Sequence, residues 1–104
     1  KAATTVGFKP EQFAPGLLVG AIGNTYAAAS PIGLTATLDV AQPGDKILLV
    51  SFGSGAGSDA MSFVVTDALL EKRKRATPTQ AYVKRRVEID YATYARYREK
   101  LQVA

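Results

Sequence analysis

With 104 residues, 47% of them hydrophobic and 21% charged, the chain is long enough for one globular domain at most and too apolar to be a disordered polymer. It has neither cysteine nor histidine, which excludes a disulfide framework, a thiolate nucleophile and an imidazole base, and no His/Cys/Asp cluster suggests a metal. The net charge of +4 is unevenly spread: residues 1–70 carry three lysines against five acids, whereas 71–104 carry ten Lys or Arg against four acids.

The opening Lys1-Ala2-Ala3 reads as the last turn of a helix, with Gly7 placed to close it. It lacks the apolar core and cleavage pattern of a signal peptide, and no apolar run approaches the roughly 20 residues of a spanning helix. A cytoplasmic chain is therefore the expectation. Pro10-Glu11-Gln12-Phe13 predicts one helical turn with Pro10 at its start, and Leu17-Leu18-Val19 a short edge strand.

From Ala27 to Ala41 the spacing is helical: Leu34, Leu38 and Ala41 recur on one strip, Ile32, Ala36 and Val40 on its neighbour. Asp39 is the one charge in the segment, so the helix should be buried nearly all round. Ser30-Pro31 would serve as cap and first position, as would Asn24-Thr25 further upstream; the earlier start is preferred. Gln42-Pro43-Gly44-Asp45 is a turn by residue chemistry. The apolar run Lys46–Phe52 predicts a strand covered on both faces, and Ala60–Val65 a second strand. The seven-residue link Gly53–Asp59 is too short for a crossover helix, so the two strands should be antiparallel neighbours.

The remainder is a basic tail. Thr66–Lys74 predicts a short helix, Thr77-Pro78 caps another through about Arg86, and Asp90 caps a third from Tyr91 to about Leu101. Tyr91, Tyr94, Tyr97 and Leu101 share a face of that last helix and are expected to dock on the body. The organisation read from the chain is thus a layered α/β portion, 1–66, incomplete by itself because its strands ask for cover on both faces, followed by a Tyr-rich helical tail, 67–104.

Two segments have the makings of a site. Gly23 lets the backbone turn tightly before Asn24, whose amide offers both a donor and an acceptor for a thioester carbonyl or a water. Asn24 would also be an ordinary helix cap. Gly53, Ser54 and Gly55 lie in a glycine loop whose amides can form a concavity for an anion or a carbonyl, although such loops are more often plain turns. The loop is not a phosphate-binding P-loop, since no Gly-Lys-Ser/Thr follows and a strand comes next. Tyr26 is expected to pack, and Asp39, Asp45, Asp59 and Asp67 to be solvated.

The order Ile22-Gly23-Asn24-Thr25-Tyr26, Leu38-Asp39-Val40-Ala41, Pro43-Gly44-Asp45 and Ser51-Phe52-Gly53-Ser54-Gly55-Ala56-Gly57-Ser58-Asp59 resembles the C-terminal half of the thiolase superfamily. Within it, the hydroxymethylglutaryl-CoA synthase family is the most similar, and the tail Ile89-Asp90-Tyr91-Ala92-Thr93-Tyr94 resembles the end of its archaeal-type members. The resemblance implies a condensing acyltransferase of the mevalonate route to isoprenoids, using coenzyme A thioesters as substrates with no bound cofactor. In that family an acetyl group rides on a cysteine, a glutamate is the general acid/base, and a histidine and an asparagine position the second acyl-CoA. Asn24 matches the asparagine. Gly23, Gly53, Ser54 and Gly55 would line the substrate pocket, with Ser54 bonding to the substrate. The cysteine, glutamate and histidine would lie on an earlier segment, and this chain alone should be inactive. The resemblance further implies a homodimer of the complete enzyme, and association with a thiolase and a small bridging protein.

Three other readings stay open on the residues. A related ketoacyl synthase or carbon-acyltransferase would share this segment. A non-catalytic scaffold completing another subunit's sheet needs no nucleophile. A small nucleic-acid-binding module would use Lys72-Arg73-Lys74-Arg75 and Lys84-Arg85-Arg86 with the tyrosines, but leaves the apolar helix and strands unexplained.

Overall fold

The computed structural model describes residues 1–101. Its elements in chain order are α1 (Ala2–Thr5), α2 (Pro10–Phe13), α3 (Val19–Ile22), α4 (Ala29–Val40), β1 (Lys46–Gly53), β2 (Gly57–Val64), α5 (Ala68–Arg73), α6 (Thr79–Lys84) and α7 (Tyr91–Tyr97). Single 3-10 turns, Ala14–Gly16 and Tyr26–Ala28, precede α3 and α4.

Local chemistry accounts for most boundaries. α1 closes in a Schellman motif: the Phe8 N–H reaches the Ala3 carbonyl at 3.0 Å, the Gly7 N–H reaches Thr4 at 3.1 Å, and Gly7 takes the left-handed φ of +98°. Pro10 begins α2, as expected. The segment expected to be an edge strand is helical instead. The Leu18 carbonyl accepts the N–H groups of both Ala21 and Ile22, and Leu18 and Ile22 come to share one face. The coil leading into α4 does start early, as a 3-10 turn at Tyr26, and becomes α-helical at Ala29. Pro31 then falls in the first turn, where the N–H it lacks would have had no partner.

β1 and β2 are antiparallel neighbours, in a register pairing Ile47 with Phe63, Leu49 with Met61 and Gly53 with Gly57. The strands run further than expected, so the glycine loop is only Ser54-Gly55-Ala56. Ala56, not a glycine, takes the left-handed conformation at φ +60° that a three-residue hairpin loop uses. The turn before β1 closes as read from its residues: Gly44, at φ +91°, donates to the Val65 carbonyl at 2.8 Å, and Asp45, exposed to solvent, accepts the Gln42 N–H at 2.8 Å.

Burial departs from expectation. In β1 only Ile47 is buried, and every residue of β2 is exposed. In α4 only Ala36 is buried. The cause is a shortage of cover: two strands and the short helices around α4 shield one side of α4 and the start of β1, and leave both faces of β2 open. The core is accordingly two small clusters flanking α4. Leu18, Ala36 and Val83 form one, with Ala21, Ile22 and Ile32 packed against it. Ala41, Ile47 and Val65 form the other, with Leu34, Leu38 and Leu69.

The tail is tied to α4 by polar contacts. Arg73 Nη2 donates to the carbonyls of Leu38 (2.9 Å) and Ala41, so a cation serves the unpaired C-terminal carbonyls of α4. Asp39, expected to be solvated, accepts the Thr79 N–H at 2.6 Å and so caps α6, the role expected of Thr77. Pro78 stands at the cap position, and α6 ends at Lys84 rather than near Arg86. α7 is capped as expected, the Thr93 N–H donating to Asp90 Oδ1 at 2.7 Å. That backbone N–H also holds the Asp90 carboxyl below its ordinary value. The tyrosine stripe does not dock on the body. Ala95, 2% exposed, is the buried residue of α7, while Tyr91, Tyr94 and Tyr97 are open to solvent.

Candidate functional site

The site is built from the turn between α3 and α4. α3 stops at Gly23, whose N–H bonds the Val19 carbonyl at 2.9 Å while its backbone turns to φ +73° and ψ −168°. No atom lies within 4 Å of where a Cβ would stand, so the position asks for glycine through its backbone angles rather than through lack of room. Asn24 follows, exposed, and its Oδ1 accepts the Tyr26 N–H at 2.8 Å. This Asx-turn fixes the carboxamide and supports Tyr26 in a left-handed conformation, φ +53°. Among the described residues, Asn24 Nδ2 makes no hydrogen bond. One end of the amide is thus anchored and the other presents two N–H donors outward. That division suits a group that polarises a carbonyl or stabilises an oxyanion developing on it. Tyr26 does not pack as expected; the residue is 81% exposed.

Gly23, Asn24 and Thr25 border a hollow of about 200 Å³ whose apolar lining is Leu17, Leu18, Val19, Ile22, Ala29 and Ile32. A larger hollow, about 670 Å³, lies between α4 and the tail, lined by Leu38, Leu69, Tyr82 and Val83 with Asp39 and Lys72. Ile22 and Ile32 belong to both, so the two are adjacent. Gly53, Ser54 and Gly55 line neither. They sit exposed at the hairpin tip, where the nearest side-chain hydrogen bond runs from Ser58 Oγ to the Ser51 carbonyl at 2.7 Å. The expected site residues therefore separate into a consecutive pair that borders a hollow, Gly23 and Asn24, and a triplet presented elsewhere.

Sequence reasoning missed the wall. Leu18 and Ile22 are four residues apart, a helical spacing that could have revealed α3. Val83 and Arg73 gave no such signal, since both act across long stretches of chain. Within the basic tail, Arg73 is turned onto α4, Lys74 pairs with Glu71 at 2.8 Å, Arg86 pairs with Glu88 at 3.1 Å, and Arg85 lies 5.1 Å from the centre of the Tyr82 ring. Among the described residues no group of three His, Cys, Asp or Glu could hold a metal ion, and no helix is long and apolar enough to cross a membrane.

Residues 1–65 match the family described as the C-terminal domain of 3-oxoacyl-[acyl-carrier-protein] synthase III. Over 99 residues the chain is 59% identical to a hydroxymethylglutaryl-CoA synthase of Thermococcus kodakarensis, covering 95% of this chain and 28% of that protein. It is 55% identical to the synthase of Aeropyrum pernix over 99% of its own length and 28% of the relative's. With the synthase of Methanothermobacter thermautotrophicus it shares 52% identity over all 104 residues, 30% of the relative's length. The chain thus spans less than a third of the curated relatives it matches, and matches their C-terminal part.

Proposed function

The chain belongs to the family of 3-oxoacyl-[acyl-carrier-protein] synthase III C-terminal domains, of thiolase-like fold, and on that premise we propose that it forms the C-terminal part of a hydroxymethylglutaryl-CoA synthase. The observation that carries this reading is the reach of the similarity. The wider family model stops at residue 65, whereas identity of 52–59% to hydroxymethylglutaryl-CoA synthases continues through the tail.

In the proposed reaction acetyl-CoA acylates a cysteine, releasing coenzyme A. The glutamate takes a proton from the methyl group of the acetyl thioester, the methyl carbon bonds to the keto carbon of acetoacetyl-CoA, and the keto oxygen takes up a proton to become the hydroxyl. Water then cleaves the enzyme thioester, freeing hydroxymethylglutaryl-CoA and the cysteine thiol. Splitting the chemistry at a covalent intermediate lowers each barrier. The cysteine and the histidine are supplied by another segment, because this chain has neither residue, and the family resemblance puts the glutamate acid/base on that same segment. Asn24 donates from Nδ2 to a carbonyl oxygen of the acceptor thioester, its own oxygen being held by Tyr26. Gly53, Ser54 and Gly55 enter the acyl pocket when the hairpin tip meets that segment. The complete enzyme works as a cytoplasmic homodimer and associates with a thiolase and a small bridging protein.

The test is Asn24→Ala in the complete synthase containing this chain. Loss of a single oxyanion-type donor lowers kcat by roughly 10²-fold, so condensation should fall by that much while acetylation of the cysteine proceeds as before. Turnover close to that of the unsubstituted enzyme would remove Asn24 from the mechanism.

A further inference from the structure

Val83 lies in the tail, beyond the residues that the family model matches, yet it is buried against the family portion. Its partners are Leu18 and Ala36, with Ile22 and Ile32 packed on the same cluster. Leu18, Ile22 and Ile32 form one wall of the hollow that Gly23 and Asn24 border, the wall that faces the cluster. Val83 thus stands directly behind that wall. α6 is fixed in this place by bonds to α4 on either side of Ala36: the Thr79 N–H to Asp39 at 2.6 Å, and the Thr79 hydroxyl to the Thr35 hydroxyl at 3.0 Å.

We propose that Val83 determines specificity for the acyl acceptor by setting how far the Leu18–Ile22–Ile32 wall can retreat from the acyl chain beside Asn24. The inference rests on the function proposed above and adds to it a role for the tail. Leu18, Ala36 and Val83 are all buried, so a methylene gained or lost at Val83 is felt by the side chains packed on it, and a β-branched side chain with one preferred rotamer makes a stiff backing. Val83 lines the larger hollow rather than the one at Asn24, so it acts on the acyl chain there through the wall.

The experiment uses the complete synthase containing this chain and compares acetoacetyl-CoA with 3-oxohexanoyl-CoA, an acceptor longer by two methylenes. Val83→Ala should raise the ratio of kcat/KM for the longer acceptor to that for the shorter by about tenfold, the order of discrimination that one methylene gives in an apolar pocket. The change should fall mainly on KM. Val83→Ile should lower the same ratio, and it adds only one methylene, so this arm stands if the alanine variant does not fold. Ile47→Ala, in the other cluster and lining neither hollow, supplies the control: it should lower Tm without moving the ratio. The proposal is overturned if both Val83 variants keep the parent ratio, or if Ile47→Ala moves it as far. Asn24→Ala measured in parallel separates the two claims. Undiminished turnover there removes the functional reading, whereas impaired turnover with an unmoved Val83 ratio removes only the role of Val83.

Discussion

Glu99 holds a left-handed backbone, φ +54°, two residues past the end of α7. Its N–H reaches the Arg96 carbonyl at 3.0 Å and the Lys100 N–H reaches Ala95 at 2.8 Å, the same pair of bonds that Gly7 and Phe8 make at the end of α1. The two helices close alike, but α1 has glycine in the strained position and α7 has a residue with a Cβ. That Cβ costs roughly 1–2 kcal/mol in the left-handed region, from which the greater unfolded-state freedom of glycine must be subtracted. Glu99→Gly should therefore stabilise the chain by about 0.5–1 kcal/mol, raising Tm by about 2–8 °C at this size. A thermal melt monitored by circular dichroism checks it, and a lowered Tm would mean that the Glu99 side chain contributes more than its backbone costs. Asn24 shows the same economy at the site, where one side-chain oxygen supports the left-handed Tyr26 and leaves the amide donors free.

At the scale of elements, the contact between the Ala14–Gly16 turn and α4 has the least slack. A Cβ built on Gly33 would stand 3.0 Å from the Gly16 carbonyl oxygen, and one built on Gly16 would meet Thr37 Oγ1 at 3.1 Å. Helix propensity favours alanine over glycine by about 1 kcal/mol, but overpacking against backbone costs about 1–3 kcal/mol. Gly33→Ala should be net destabilising, by about 1 kcal/mol. Gly20→Ala in α3, where nothing lies within 4 Å of the new Cβ, should be stabilising. Urea unfolding of the pair checks both signs, and a stabilising Gly33→Ala would show that the turn can yield. Signals carried by one residue or one turn were legible in the sequence: Gly7, Pro10, the Asp90 cap, the 42–45 turn, the antiparallel hairpin and the Gly23-Asn24 pair. Arg73 on the carbonyls of α4, Asp39 capping α6 from 40 residues away, and Val83 behind the site wall were not. Each depends on which segments meet, and a basic run or an isolated aspartate looks the same whether it faces solvent or another helix. The α3 segment was misjudged for a related reason, since a short apolar run fits a strand and a helix equally well.

The molecule as a whole does not close around its apolar residues. Its accessible surface is 8605 Å², against about 5,600 Å² for a compact monomer of this mass. Its radius of gyration is 16.8 Å, against about 13 Å for a compact domain of this length. Much of the excess is the hairpin, where Leu48, Val50 and Phe52 share one face and are 51%, 57% and 80% exposed, and where each strand has an unpaired edge. A two-stranded ribbon is marginal in water without a third strand or a covering helix, and an exposed apolar edge invites association. If the complete synthase supplies that cover, one substitution should act in opposite directions in the two settings. In the chain alone, Val50→Lys should reduce self-association and binding of a hydrophobic dye while leaving the secondary structure intact. In the complete synthase the same lysine would be a buried, unpaired charge, and should cost about 3–5 kcal/mol or block assembly. Light scattering and dye fluorescence read the first arm, and thermal unfolding of the complete enzyme reads the second. A complete enzyme that tolerates the lysine would mean that this face stays open after assembly, and would remove the support for the proposed place of Ser54 in the acyl pocket.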